Sequence, residues 1–355
     1  MSNASEPLSG RILLAAFEGW SDAGNAASGT LEWLGELLDV DVLHTIGSDG
    51  YIDLQVHRPR IALTDDGTRE VLWPETNLYG PVARPDRSEL LRHAPGIVPD
   101  LDESAVVHDL PGSEAPDAEA DTPALRPVVN RISGEPASDL FLLVGVEPSR
   151  NWQAFAEEVV EIAEGWAIDT VILLGSLFSD SPHSRPITTQ VTSEHPVIRA
   201  KIGASRSDYE GPIGVSTVIG LALEEAGVPV VSLWAQVPHY VHSAPSPKAT
   251  LALIDQLEEL LDIVVPRGEL VEQSNDWEHN INRIAEADED MAQYIQRLEE
   301  ARDAVEAPEA TGDAIAYEFQ KFLQEPARDD AEAQDRAEQA ESGEPGDGGE
   351  PGTGV

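Results

Sequence analysis

Apolar residues fill consecutive positions at four places along the chain: Arg11–Phe17, Asp139–Val146, Thr170–Phe178 and Val228–Gln236. Runs of this length without polar alternation are the mark of strands buried on both faces, as in a parallel sheet. Helical spacing follows each run. Ala27, Leu31, Leu34 and Leu38 make the first stripe, and Trp152, Phe155, Val159, Ile162 and Trp166 the second. Residues 213–226 and 250–264 read as the third and fourth helices. The pattern predicts an α/β fold with helices on both faces of a mixed, mostly parallel sheet.

Other segments break this rhythm. Val40–Ile46, Tyr51–Val56 and Arg60–Leu63 read as short strands of a meander or hairpin. Residues 110–127 are rich in Pro, Ala, Glu and Asp, a composition that buries too little surface to offset its ordering entropy, so a mobile insertion is expected. From Trp277 the positions Ile281, Ile284, Met291, Ile295, Leu298 and Val305 follow a heptad-like spacing, with Asp288 and Arg302 in the two interrupted seam positions. That narrow stripe needs cover from the closing helix of its own domain or from a neighbouring subunit. Ile315, Phe319, Phe322 and Leu323 form one more short apolar face, and beyond Pro326 the composition is that of a disordered acidic tail. The expected organisation is a flexible start (1–9), an α/β domain (10–265), a helical extension (266–325) and the tail (326–355).

Charge narrows the choice of partners. Asp and Glu number 66 against 22 Lys and Arg, a formal net charge of −44. Such a surface repels phosphate backbones and anionic bilayers over a Debye length, so neither nucleic acid nor membrane is an expected partner. A salt-rich cytoplasm is an alternative source of the bias, set against its concentration near residues 110–121 and in the tail. Lysine occurs only at 201, 248 and 321, which leaves few ammonium groups for Schiff bases or phosphate holding. The absence of cysteine excludes disulfides, thiolate zinc sites and cysteine nucleophiles. The start is polar and Ile12–Phe17 is too short for a signal or a membrane span, so a cytoplasmic location is expected by default.

Candidate chemistry gathers on loops after strands. Glu18-Gly19-Trp20-Ser21-Asp22-Ala23-Gly24 joins the first strand to the first helix, where helix-terminal amides receive anions. Gly19, Gly24 and Gly29 are five apart, so neither a dinucleotide fingerprint nor a Walker loop is present, and Asp22 reads more simply as a helix N-cap. Ser176 sits where a nucleophile would sit, with Asp180 and His183 following, but the Gly-x-Ser-x-Gly elbow is missing and a strand-ending serine is the plainer reading. The nine histidines are dispersed, with only His239 and His242 close, so no metal site is expected. No cofactor and no catalytic residue is assigned.

Five strings occur in a fixed order: Glu18–Gly24, Leu174-Gly175-Ser176, Pro182-His183-Ser184-Arg185-Pro186, Tyr209-Glu210-Gly211-Pro212-Ile213-Gly214 and Trp234-Ala235-Gln236-Val237-Pro238-His239-Tyr240. Together, over residues 10–265, they resemble the proteasome assembly chaperone family of actinobacteria and archaea. The resemblance implies a three-layer α/β/α fold of the phosphorylase/hydrolase class, homo-oligomeric assembly with a trimer among the candidates, and binding to proteasome subunits or the assembled particle. It brings no catalytic residues. Ser184 stands where the family usually has Thr, and the chain ends Gly352-Thr353-Gly354-Val355 rather than in hydrophobic-Tyr-x, so docking by tail insertion is not expected. Asp22, His183, Arg185 and His239 are expected either to line one polar crevice with Tyr240, or to form a buried network in which Arg185 organises Asp22 or Glu147. The functional expectation is a noncatalytic interaction protein. The alternative is a hydrolase or phosphorylase using a crevice at the C-terminal edge of the sheet.

Overall fold

The computed structural model describes residues 6–64, 66–81, 127–241 and 244–306. The insertion expected at 110–127, save its last residue, lies outside them, as do the face from Ile315 to Leu323, the tail, and His93, His108 and His242. The chain opens with β1 (Ile12–Glu18), a 3-10 turn at Ala23–Asn25, α1 (Ala26–Leu37) and β2 (Val40–Ile46). Next come β3 (Arg60–Leu63), β4 (Arg69–Leu72), β5 (Thr76–Pro81), β6 (Val129–Asn130), β7 (Leu140–Val146) and α2 (Trp152–Gly165). Then follow β8 (Thr170–Ser179), β9 (Thr189–Thr192), α3 (Pro196–Ile202), α4 (Val215–Glu225) and β10 (Val230–Pro238). The series closes with α5 (Pro247–Leu261), β11 (Ile263–Val264), α6 (Leu270–Glu286) and α7 (Glu289–Glu306).

Seven strands form the central sheet in the order β2-β5-β7-β1-β8-β10-β9. The four strands from the apolar runs lie side by side and parallel at its centre, while β2, β5 and β9 add antiparallel margins. Along β1, Ile12, Leu14 and Ala16 join the core under α1 and α5, whereas Leu13, Ala15 and Phe17 join the core under α2 and α4. Both faces are thus covered, which is why these runs carry no polar alternation. The result is the expected three-layer α/β/α arrangement.

Three local expectations are corrected. Tyr51–Val56 is a pair of turns rather than a strand, with Ser48 and Asp53 carbonyls accepting from residues 51, 52, 56 and 57. The Asp53 carboxylate accepts from the Gln55 amide and competes with strand pairing. The closing helix starts at Pro247 and stops at Leu261, because Asp262 adopts a left-handed φ of 53° and redirects the chain into β11. The stripe from Trp277 is not one helix. Asp288 accepts from the amides of Asp290 and Met291, so it caps α7 instead of filling a seam position.

The first of two compact units runs to Glu299, so α6 and most of α7 belong to the same body as the sheet. The second unit begins at Glu300, and its described part is the end of α7. At the start of the chain, where flexibility was expected, the Glu6 and Leu8 amides donate to the carbonyls of Lys201 and Leu260.

Candidate functional site

The C-terminal ends of β1, β7, β8 and β10 carry the singled-out residues other than Tyr209, which lies on the loop before α4, and the residues form three groups. In the first, Asp22 is buried beneath the first helix. Its Oδ1 accepts from the Ala27 and Ser28 amides at 2.9 and 3.2 Å, and its Oδ2 from the Ser28 hydroxyl at 2.5 Å. The Ser176 hydroxyl lies 3.5 Å from the same carboxylate and donates to the Ala23 carbonyl at 2.9 Å. Burial pushes the Asp22 carboxyl above its ordinary value, and the hydrogen bonds from Ser28, Ala27 and Ser176 oppose that shift. Asp22 works as a helix cap joined to β8, and the Ser176 hydroxyl is committed to backbone.

The second group is organised by Glu147. One of its oxygens accepts from the Trp20 amide at 3.3 Å and the other from the Val215 amide at 2.9 Å, so a single carboxylate ties the loop after β1 to the start of α4. Its own amide donates to the Glu18 carbonyl at 2.8 Å. Gly214 fits between them because a Cβ there would stand 2.5 Å from the Ser21 hydroxyl and 3.0 Å from Glu147. Gly19 has φ of 135°, a conformation that disfavours side chains. Trp20 is 63% exposed, and Tyr209 is exposed with its hydroxyl donating to the Pro212 carbonyl at 2.9 Å. Partial desolvation holds Glu18 above the ordinary carboxylate value, with Glu32 and Asp22 adding to the shift and His57 and Arg60 opposing it.

The third group meets the helical extension. His183 is 1% exposed, with its Nδ1 2.8 Å from the Tyr240 hydroxyl and its Nε2 3.0 Å from the Asn282 carbonyl oxygen on α6. The Tyr240 hydroxyl also accepts from the His183 amide at 2.7 Å. Lys248 donates to the His183 carbonyl and to Glu278 of α6, both at 2.5 Å. Ser184 and Arg185 both reach Glu299 of α7, with Arg185 at 3.5 Å. His239, on the residue after Pro238, pairs with Asp180 at 3.2 Å and meets the Tyr294 ring edge-on. Around these polar links Trp277, Ile281 and Val241 form a small apolar cluster against Tyr240. Burial lowers the His183 imidazole below its ordinary value and pushes the Tyr240 phenol up to about 12.

The residues expected to share one crevice or one buried network fall into separate groups. His183, Arg185, His239 and Tyr240 are brought together, but under α6 and α7, while Asp22 is drawn into the first helix and β8. Arg185 takes Glu299 in place of the anticipated Asp22 or Glu147. Lys248, Glu278, Asn282 and Glu299 were not recognised from sequence. The available signal was Glu278 and Asn282 flanking the Trp277–Ile281 stripe at helical spacing. Among the described residues no group of three or more His or carboxylate side chains is arranged to hold a metal, and no helix is long and apolar enough to cross a membrane.

Comparison with known proteins agrees with this architecture. A PAC2 family protein from Streptomyces avermitilis is 32% identical, with 80% of this chain covering 98% of that one at a TM-score of 0.60. A Mycobacterium tuberculosis proteasome-assembly chaperone homologue is also 32% identical, covering 80% of this chain and 99% of that one at a TM-score of 0.58. PbaB of Pyrococcus furiosus, an archaeal proteasome activator, shares the fold at 11% identity and a TM-score of 0.51, covering 80% of this chain and 95% of that one. None of the curated proteins compared with the chain matches it. The profile of the PAC2 family matches residues 16–285, from the end of β1 through nearly all of α6, and the chain belongs to the PAC2 family.

Proposed function

We propose that the protein is a noncatalytic, homo-oligomeric chaperone that binds proteasome subunits during assembly or caps the assembled particle. The observation that carries this reading is the use of His183, Ser184, Arg185 and Tyr240. The loop residues with catalytic potential hold the protein's own helices against the sheet edge. A second support is the exposure of Trp20, whose amide the Glu147 carboxylate holds, and of Tyr209, aromatic residues of the kind that anchor protein interfaces. The relatives described as a proteasome-assembly chaperone homologue and a proteasome activator point to the client class.

The test is capture of purified proteasome α and β subunits by the full chain, mapped by cross-linking, beside a Trp20→Ala, Tyr209→Ala variant. Wild type is expected to retain a subunit and the variant to lose it. Failure of the wild-type chain to retain either subunit removes this reading. Hydrolysis or phosphorolysis of a small molecule has less support, since His183 is enclosed and Ser176 is hydrogen-bonded to backbone.

A further inference from the structure

We infer that the β3–β4 hairpin is the seat on which a second copy of this chain docks. The inference rests on the homo-oligomeric part of the function proposed above and identifies its surface. β3 and β4 form a two-stranded sheet of their own, outside the central sheet. A lone pair of strands is marginal in water unless one face is covered.

The register places Ile61, Leu63 and Val71 on one side and Ala62 and Leu72 on the other. Ile61 stands opposite Val71 and Leu63 opposite Arg69, and Trp73 lies two residues beyond Val71. Side chains alternate along strands, and opposite partners share a face. Ile61, Leu63, Val71 and Trp73 therefore make one stripe, and they are 57, 73, 46 and 51% exposed. The other face carries Arg60, Ala62, Glu70 and Leu72. A stripe of aliphatic residues with one Trp and an adjoining Arg has the composition of an interface core rather than of solvated surface.

The choice of occupant follows from charge and connectivity. Arg69, on the same face as the stripe, forms no ion pair within 4 Å among the described residues, although acidic residues outnumber basic ones 66 to 22. An unpaired guanidinium group beside an apolar stripe fits a carboxylate-rich partner, and a second copy of this chain is one. A basic partner would find its complement almost anywhere else on the molecule. The described residues that flank segment 82–126 lie away from the hairpin. β5 runs antiparallel to β7, so Pro81 lies at the N-terminal edge of the parallel strands, and Val128 lies there beside the β6–β11 pair that follows α5. The hairpin lies between the end of β2 and the start of β5, at the opposite edge.

Sedimentation velocity of the full chain, in dilute buffer and in molar potassium chloride, tests the inference. The wild type is expected to sediment as an oligomer, and Ile61→Asp with Val71→Asp to sediment as a monomer with an unchanged circular-dichroism melt. Arg69→Glu, a surface change that spares the stripe, is expected to weaken assembly at low salt and keeps the test decisive where the double variant misfolds. Hydrogen exchange of amides 60–72 in the wild type is expected to accelerate on dilution through the dissociation range. A monomeric wild type, an oligomer that survives both variants, or hairpin exchange unaffected by dilution would each overturn it, as would hairpin protection conferred only by a different acidic protein. Loss of subunit capture with assembly intact would remove the client and leave this docking seat standing.

Discussion

Burial lowers the His183 imidazole, and its partners fit the neutral Nε2–H tautomer: Nε2 donates to Asn282, and Nδ1 accepts from the Tyr240 hydroxyl. The surrounding charges are Glu278, Lys248 and Glu299, of which only Lys248 works with burial to oppose protonation. The unfolded chain therefore binds a proton at this position before the folded one does. Between the unfolded value of about 6.5 and the lower folded value, stability falls as pH falls, and above that window it is flat. Asp22 and Glu18, with raised values, act in the opposite sense at lower pH. The difference between wild type and His183→Gln isolates the imidazole, and thermal melts at about pH 7.5 and 5.5 should show the wild type losing more on acidification. Asp22→Ala removes two amide caps and the Ser28 partner together, and urea unfolding should report a loss of about 2 kcal/mol. The capping role of Asp22 was legible because a short-range rule governs it. The partners of His183 were not, since Asn282 lies 99 positions away and no local pattern couples them.

At the scale of elements, α6 is fastened both by buried apolar side chains, Leu270, Trp277, Ile281 and Ala285, and by polar links to His183 and Lys248. Trp277→Ala should cost about 3 kcal/mol in equilibrium unfolding by removing the centre of the small cluster against Val241 and Tyr240. Arg185→Ala, at a pair about a third exposed on each side, should cost about 1 kcal/mol or less while speeding hydrogen exchange in residues 289–299. The core strands and their helices were readable because two-sided burial leaves unbroken apolar runs. β5 alternates buried and half-buried positions next to a stretch of turns, and β4 and β9 are four-residue strands, so their patterns fall below what a window resolves. The break between α6 and α7 was hidden by a heptad-like rhythm that continued across it, although Asp288 carried the capping signal.

For the whole molecule, a charge of −44 on a body this size opposes compaction through self-repulsion, and salt screens that repulsion. The melting temperature should therefore rise steadily between about 0.1 M and 2 M potassium chloride, followed by calorimetry, with Arg69→Glu more salt-sensitive than wild type. Residues 262–269 join the end of α5 to α6, so the helix that seals His183 is a tethered ligand whose local concentration does not change with dilution. An incoming segment that seeks the same edge competes against that fixed effective molarity, and wins only by exceeding it. The seal over His183 therefore holds equally well at every protein concentration, in contrast to a contact made between separate molecules.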